Sequence, residues 1–110
     1  MRTVMDPFQA IADPSRRGIL MLLTKDKLSI NALAGNFDMS RPAVSKHVKV
    51  LCEAGLILIN DQGRERFCEL KPEGFDEIKN WLIFFDDFWK GKLQNLENLL
   101  NQIHPNNESD

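Results

Sequence analysis

Arg41, Ser45, Lys46 and Lys49 are of the types that recognise nucleic acid, and they recur within nine residues. Arginine and lysine donate to phosphate oxygens and base-edge acceptors, and a hydroxyl serves either. Stepped as a helix from Arg41, these four fall with Pro42 and Glu53 on an arc of roughly 0° to 140°. Ala43, Val44, His47, Val48, Leu51 and Ala54 fall on the opposite arc, roughly 200° to 340°. Such a helix docks by its apolar back and turns three cations and a hydroxyl outward. Ser40, Arg41, Pro42 and Ser45 mark its N-terminal end, the end that usually reaches base edges. An ordinary solvated helix would share this pattern. Further on, however, Arg64 and Arg66 follow Gly63 in a turn. A basic hairpin tip there would reach the backbone or minor groove beside the helix.

The elements that must position these residues are clearly punctuated. Asp6-Pro7 and Asp13-Pro14 each pair an N-cap with a first-turn proline. The first helix carries Phe8, Ile11 and Ala12; the second carries Ile19, Leu20, Leu22 and Leu23 and ends near residues 24–26. Ser29 caps a short third helix with Ile30, Leu33, Ala34 and Phe37. Ser40 caps the fourth, which runs to Ala54 before Gly55 stops it. Residues 56–59 then read as a strand, Asp61-Gln62-Gly63 as a turn and residues 64–70 as the returning strand. Lys71-Pro72 breaks the hairpin. From residue 72 to 103 apolar residues recur at steps of three or four, the spacing of one long helix. The order α-α-α-α-β-β-α, mainly α with a small β-hairpin, is that of a winged helix-turn-helix. Residues 1–104 make one domain on this reading and 105–110 a polar tail.

The chain has 110 residues and a formal net charge of −2, which argues against a nucleic-acid binder. The total conceals a segregation. Residues 14–71 hold ten Lys and Arg against six Asp and Glu, a surplus of +4. Residues 72–110 hold three against eight, a deficit of −5, and residues 1–13 contribute −1. The longest apolar runs are five residues, where a membrane span needs about 20. MRTVMDPFQA lacks an apolar signal core, and two cysteines do not make a disulfide framework. A cytoplasmic protein without membrane contact is expected.

Ala12-Asp13-Pro14-Ser15-Arg16-Arg17, followed by Ile19-Leu20, resembles the opening of the ArsR/SmtB family of bacterial repressors. Met39-Ser40-Arg41-Pro42-Ala43-Val44-Ser45-Lys46-His47-Val48-Lys49-Val50-Leu51 resembles that family's recognition helix. Glu53-Ala54-Gly55-Leu56-Ile57 and Gly63-Arg64-Glu65-Arg66-Phe67 resemble its wing. The likeness covers residues 6–71 well and extends loosely into the last helix. It implies a homodimeric repressor on a palindromic operator. By that match Arg41, Pro42, Ser45 and Lys46 face double-stranded DNA, with the wing arginines flanking them.

The resemblance does not extend to metal sensing. Some members of the family bind metals through cysteines in the third helix, but residues 33–39 contain none. Others use His and carboxylates in the last helix, where the sole histidine is His104. No metal site and no cofactor are expected. Nothing assembles a catalytic constellation, so no enzyme is expected. Cys52 and Cys68 read as two separate core or boundary residues, with a redox switch as the alternative. His47, inside the apolar arc, reads as a partly buried histidine with one nitrogen hydrogen-bonded.

Six of the nine aromatic residues lie between positions 75 and 89. Trp81, Phe85, Phe88 and Trp89 continue into Leu93, Leu96 and Leu100 as one stripe. A helix of about 30 residues is about 45 Å long, more than one small domain covers. Its surplus apolar face points to a two-fold homodimer. Val4, Met5, Phe8 and Ile11 of the first helix are its expected partners in that interface. Trp81, Phe85 and Trp89 would line an effector pocket between subunits if a small-molecule or protein signal acts there. The rival to a repressor is a winged-helix module that binds proteins through its wing and last helix. The basic face of the fourth helix argues against it.

Overall fold

Each of the first four helices is started by a side chain that satisfies its free amides. In the computed structural model, which describes residues 5–103, Asp6 caps α1 (Pro7–Ala10) and Asp13 caps α2 (Pro14–Leu23). The Asp13 carboxylate accepts from the Arg16 amide at 3.1 Å, and chiefly that bond holds its pKa below the ordinary 3.8. The cap therefore helps fully above 3.8 and is lost as the pH falls through the lower folded-state value. The Ser29 and Ser40 hydroxyls cap α3 (Ile30–Gly35) and α4 (Arg41–Glu53), accepting from the Ala32 and Ala43 amides. The chain leaves α4 through Gly55 at φ +81°, a conformation glycine adopts without strain.

β2 (Ile57–Gln62) and β3 (Glu65–Leu70) form the hairpin, with its turn displaced from Asp61-Gln62-Gly63. Asp61 faces Arg66 and Gln62 faces Glu65 inside the ladder, so the loop is Gly63-Arg64. Gly63 has φ +65° and Arg64 does not have positive φ. That combination matches the twist of the flanking strands. A third strand, β1 (Leu28–Ser29), is absent from the sequence reading. It pairs with the other edge of β3, giving a sheet in the order β1-β3-β2. The architecture is nonetheless mainly helical with a small antiparallel sheet: a winged helix-turn-helix.

The core lies among α2, α3, α4 and the sheet. Ile19, Leu33, Val44, Leu51, Leu56 and Cys68 are each fully buried in it. Val44, Val48 and Leu51 come from one face of α4, as the wheel requires. Phe75 and Ile78 pack on its edge.

The single helix expected over residues 72–103 is instead three pieces: a 3-10 turn (Pro72–Phe75), α5 (Asp76–Phe84) and α6 (Asp86–Ile103). The Phe85 amide donates back to Leu82, three residues away, so the α-helical ladder is interrupted there. Asp86 and Asp87 then occupy the first turn of α6, where carboxylates favour a helix N-terminus. The long-helix length of about 45 Å falls accordingly to about 27 Å for α6. The chain divides into two compact units, Met1–Ile78 and Lys79–Asp110. Val4, His104 and the tail 105–110 lie outside the described residues.

The two faces of α4 should respond oppositely to truncation. Leu51→Ala, at a fully buried position, is expected to cost about 2–5 kcal/mol in urea unfolding. Lys49→Ala, on the exposed face, should stay within about 0.5 kcal/mol of the parent. Equal costs would contradict the assignment of faces.

Candidate nucleic-acid interface

With its apolar face committed to the core, α4 leaves Arg41, Pro42, Lys46 and Lys49 exposed and Ser45 half-buried. Ser40 stands exposed at the helix start, with its hydroxyl oxygen engaged in the cap. The hairpin flanks this face. A cleft of about 570 Å³ lies between them, walled by Pro42, Ser45, Lys46 and Lys49 from α4 and by Ile59 and Arg66 from the hairpin. Five of the eight residues expected to meet nucleic acid thus line one concavity. Ser40, Arg41 and Arg64 do not line it: the first two sit at the start of α4, and Arg64 sits on the exposed hairpin loop.

Two of the arginines are already engaged. Arg66 pairs with Asp61 across the strands at 3.0 Å, with both side chains mostly exposed. An exposed pair of that kind contributes little and opens easily. Its carboxylate offsets part of the charge of the wing and leaves Arg64 as the cation at the tip. Arg41 donates through Nε to Oδ1 of Asn31, an exposed residue of α3. This contact engages one of the five guanidinium N–H donors and leaves those of the two terminal nitrogens, the pair suited to a guanine edge, outside it. In the sequence nothing but its place two residues past the Ser29 cap sets Asn31 apart.

Arg16 of α2 serves a different end. Arg16 Nε donates to the Ala10 carbonyl at 2.7 Å and Nη2 to the Gln9 carbonyl at 3.3 Å. Its Nη1 lies 3.4 Å from Nδ1 of His47 on α4. His47 is half-buried with one nitrogen engaged, as expected.

Both cysteines are free thiols, Cys52 half-buried and Cys68 buried. Burial, assisted by Cys52 and opposed by Arg66, pushes the Cys68 thiol up to about 11. It stays protonated at neutral pH and is a poor nucleophile there. Stability tied to that protonated thiol is present below the ordinary 9.0 and is lost as the pH rises through the folded-state value. Among the described residues no group of three or more His, Cys, Asp or Glu converges as a metal site would require. None of the described helices is long and apolar enough to cross a membrane.

The residues expected at a dimer interface divide between the two units. Phe8 and Ile11 are half-buried in the first. In the second, Phe85 is half-buried, while Trp81, Phe88, Trp89, Leu93, Leu96 and Leu100 are exposed; α6 buries none of its side chains. Leu93, Leu96 and Leu100 remain 45–62% exposed.

Residues 13–58, which include α2 to α4 and the start of the hairpin, match the family described as bacterial regulatory protein, arsR family. The HTH-type transcriptional regulator Rv2034 of Mycobacterium tuberculosis is 37% identical over 93 residues, covering 84% of each chain. The transcriptional repressor SdpR of Bacillus subtilis is 32% identical over 78 residues, or 71% of this chain and 87% of SdpR. Among solved structures, a possible transcriptional regulator for arsenical resistance superposes with a TM-score of 0.69 at 38% identity. That match covers 86% of this chain and 96% of the other. An ArsR family transcriptional regulator gives 0.68 at 37% identity, covering 76% and 91%.

The thiols offer a direct check on this geometry. At pH 7.5 a chromogenic disulfide reagent should titrate Cys52 in the native protein and reach Cys68 only in denaturant. Rapid reaction of both would contradict the burial of Cys68.

Proposed function

The chain belongs to the arsR family of bacterial regulatory proteins, and on that premise we propose that it is a homodimeric repressor that seats α4 in the major groove of a palindromic operator. It is a DNA-binding transcription regulator of the winged helix-turn-helix class, and its relatives are regulators rather than enzymes. The observation that carries the finer reading is the cleft between α4 and the hairpin. It gathers Ser45, Lys46, Lys49 and Arg66 in a segment whose net charge is positive. Arg41 and Ser45 approach base edges, Lys46 and Lys49 contact phosphates, and Ser40 and Pro42 set the start of the helix against the backbone. Arg64 and Arg66 reach the neighbouring strand or minor groove. The acidic segment beyond residue 71 carries the assembly function instead.

The homodimer is supported by α6. Trp89, Leu93, Leu96, Leu100 and Ile103 recur at steps of four and three and are all exposed. A seam of that period and extent normally packs against another helix. A two-fold pair presents two recognition helices about one turn of DNA apart, which calls for a palindrome.

Fluorescence anisotropy with a palindromic duplex from upstream of the gene tests the reading. The Arg41→Ala/Lys46→Ala double variant should bind at least about tenfold more weakly than wild type. Lys46→Ala alone should lower the slope of log K against log salt by about 2, one phosphate contact per subunit. Equal, weak binding by wild type and double variant would overturn the proposal. Sedimentation velocity at micromolar concentration should give twice the 12.6 kDa chain mass. Leu93→Glu/Leu100→Glu should give the monomer. A monomeric wild type would remove the dimer.

A further inference from the structure

Resting on the DNA-binding reading, we propose that Arg16 is a positioning residue for the recognition helix, tying the end of α1 to His47 so that α1 and α4 move together. At the end of this four-residue helix the Gln9 carbonyl accepts from the Ala12 amide at 3.2 Å, while the helix itself supplies no donor for the Ala10 carbonyl, and a cation is favourable there. Arg16 fills that role through Nε on Ala10 and Nη2 on Gln9. The same planar group turns its remaining Nη1 to His47, 31 residues away in sequence. Arginine donates only, so Nδ1 of His47 is the acceptor and carries no proton in this contact. The guanidinium is rigid, so a shift of α1 moves its fork and presses on α4 from behind. The charged groups on this side are Arg16 itself and Asp13, whose carboxylate accepts from the Arg16 amide. α1 and α3 contain no charged side chain, and the acid of β2, Asp61, is paired with Arg66.

Arg17 provides the contrast. It donates to the Ile11 carbonyl at 2.8 Å, also at the end of α1, but makes no hydrogen bond to α4. A role confined to holding α1 in place would make Arg16 and Arg17 equivalent. A positioning role requires the link to His47.

The test measures the affinity of the full chain for the same palindromic duplex, alongside thermal melts and sedimentation for each variant. Arg16→Ala and His47→Leu should each weaken binding roughly three- to thirtyfold while remaining folded dimers. Their double variant should be no weaker than the worse single variant, because both remove one contact. His47→Asn, which keeps an acceptor near the position of Nδ1, should recover most of the affinity lost in His47→Leu. Arg17→Ala should stay within about twofold of wild type. The proposal fails if Arg16→Ala binds as wild type, if the two losses simply add, or if His47→Asn is as weak as His47→Leu. Should Arg16→Ala not fold, the two His47 variants decide alone. If wild type itself does not bind the duplex, the repressor reading falls and this inference falls with it. Unchanged variants beside a binding wild type defeat this inference only.

Discussion

A helix of 13 residues packed on a small core can bury one face, and for α4 that limit decides what the rest of the molecule presents. Val44, Val48 and Leu51 are committed to contacts with α2, α3 and the sheet. Their removal from water is worth about 1.5–3 kcal/mol per side chain, more than any surface charge contributes. Rotation of α4 about its axis would expose that surface, so the opposite arc is held outward. The cations on it need no partner inside the protein, and their direction follows from residues they do not touch.

The surrounding elements refine that arrangement. Ser40 ends the turn before α4 and fixes where its first residue begins. Asn31 on α3 engages Arg41, and Arg16 on α2 engages His47 from behind. The hairpin closes one side of the exposed face, and its two-residue loop places Arg64 at the limit of the wing. β1 anchors the other edge of β3, so the wing grows from a sheet edge fastened to the start of α3. The positive surplus lies in residues 14–71 and the negative one in residues 72–110. The net charge of −2 describes neither.

Much of this was legible in the sequence because the signals were local. Asp13-Pro14, Ser29, Ser40 and Gly55 each mark a helix end through a single side chain or a single φ, and the structure uses all four. The 3.6-residue period of α4 separated its two faces correctly. The misses have physical causes too. A two-residue strand such as β1 has no period to detect and exists through its pairing with β3. Asp61 and Gln62 look like turn residues, yet cross-strand pairing with Arg66 and Glu65 draws them into the ladder. The spacing of Leu82, Phe85 and Trp89 runs smoothly through the break at Phe85, because one tightened turn barely alters a stripe. The Arg16–His47 and Arg41–Asn31 contacts join residues that only folding brings together, and no local pattern announces them.

The central claim is that the outward arc of α4 enters DNA as one of a symmetric pair. Hydroxyl-radical footprinting of the full chain on the palindromic sequence upstream of its gene tests this most directly. The account predicts two equivalent protected patches centred about one helical turn apart and related by the dyad of the site. Both patches should disappear together in the Arg41→Ala/Lys46→Ala variant. A single asymmetric patch, or protection that survives this variant, would contradict it.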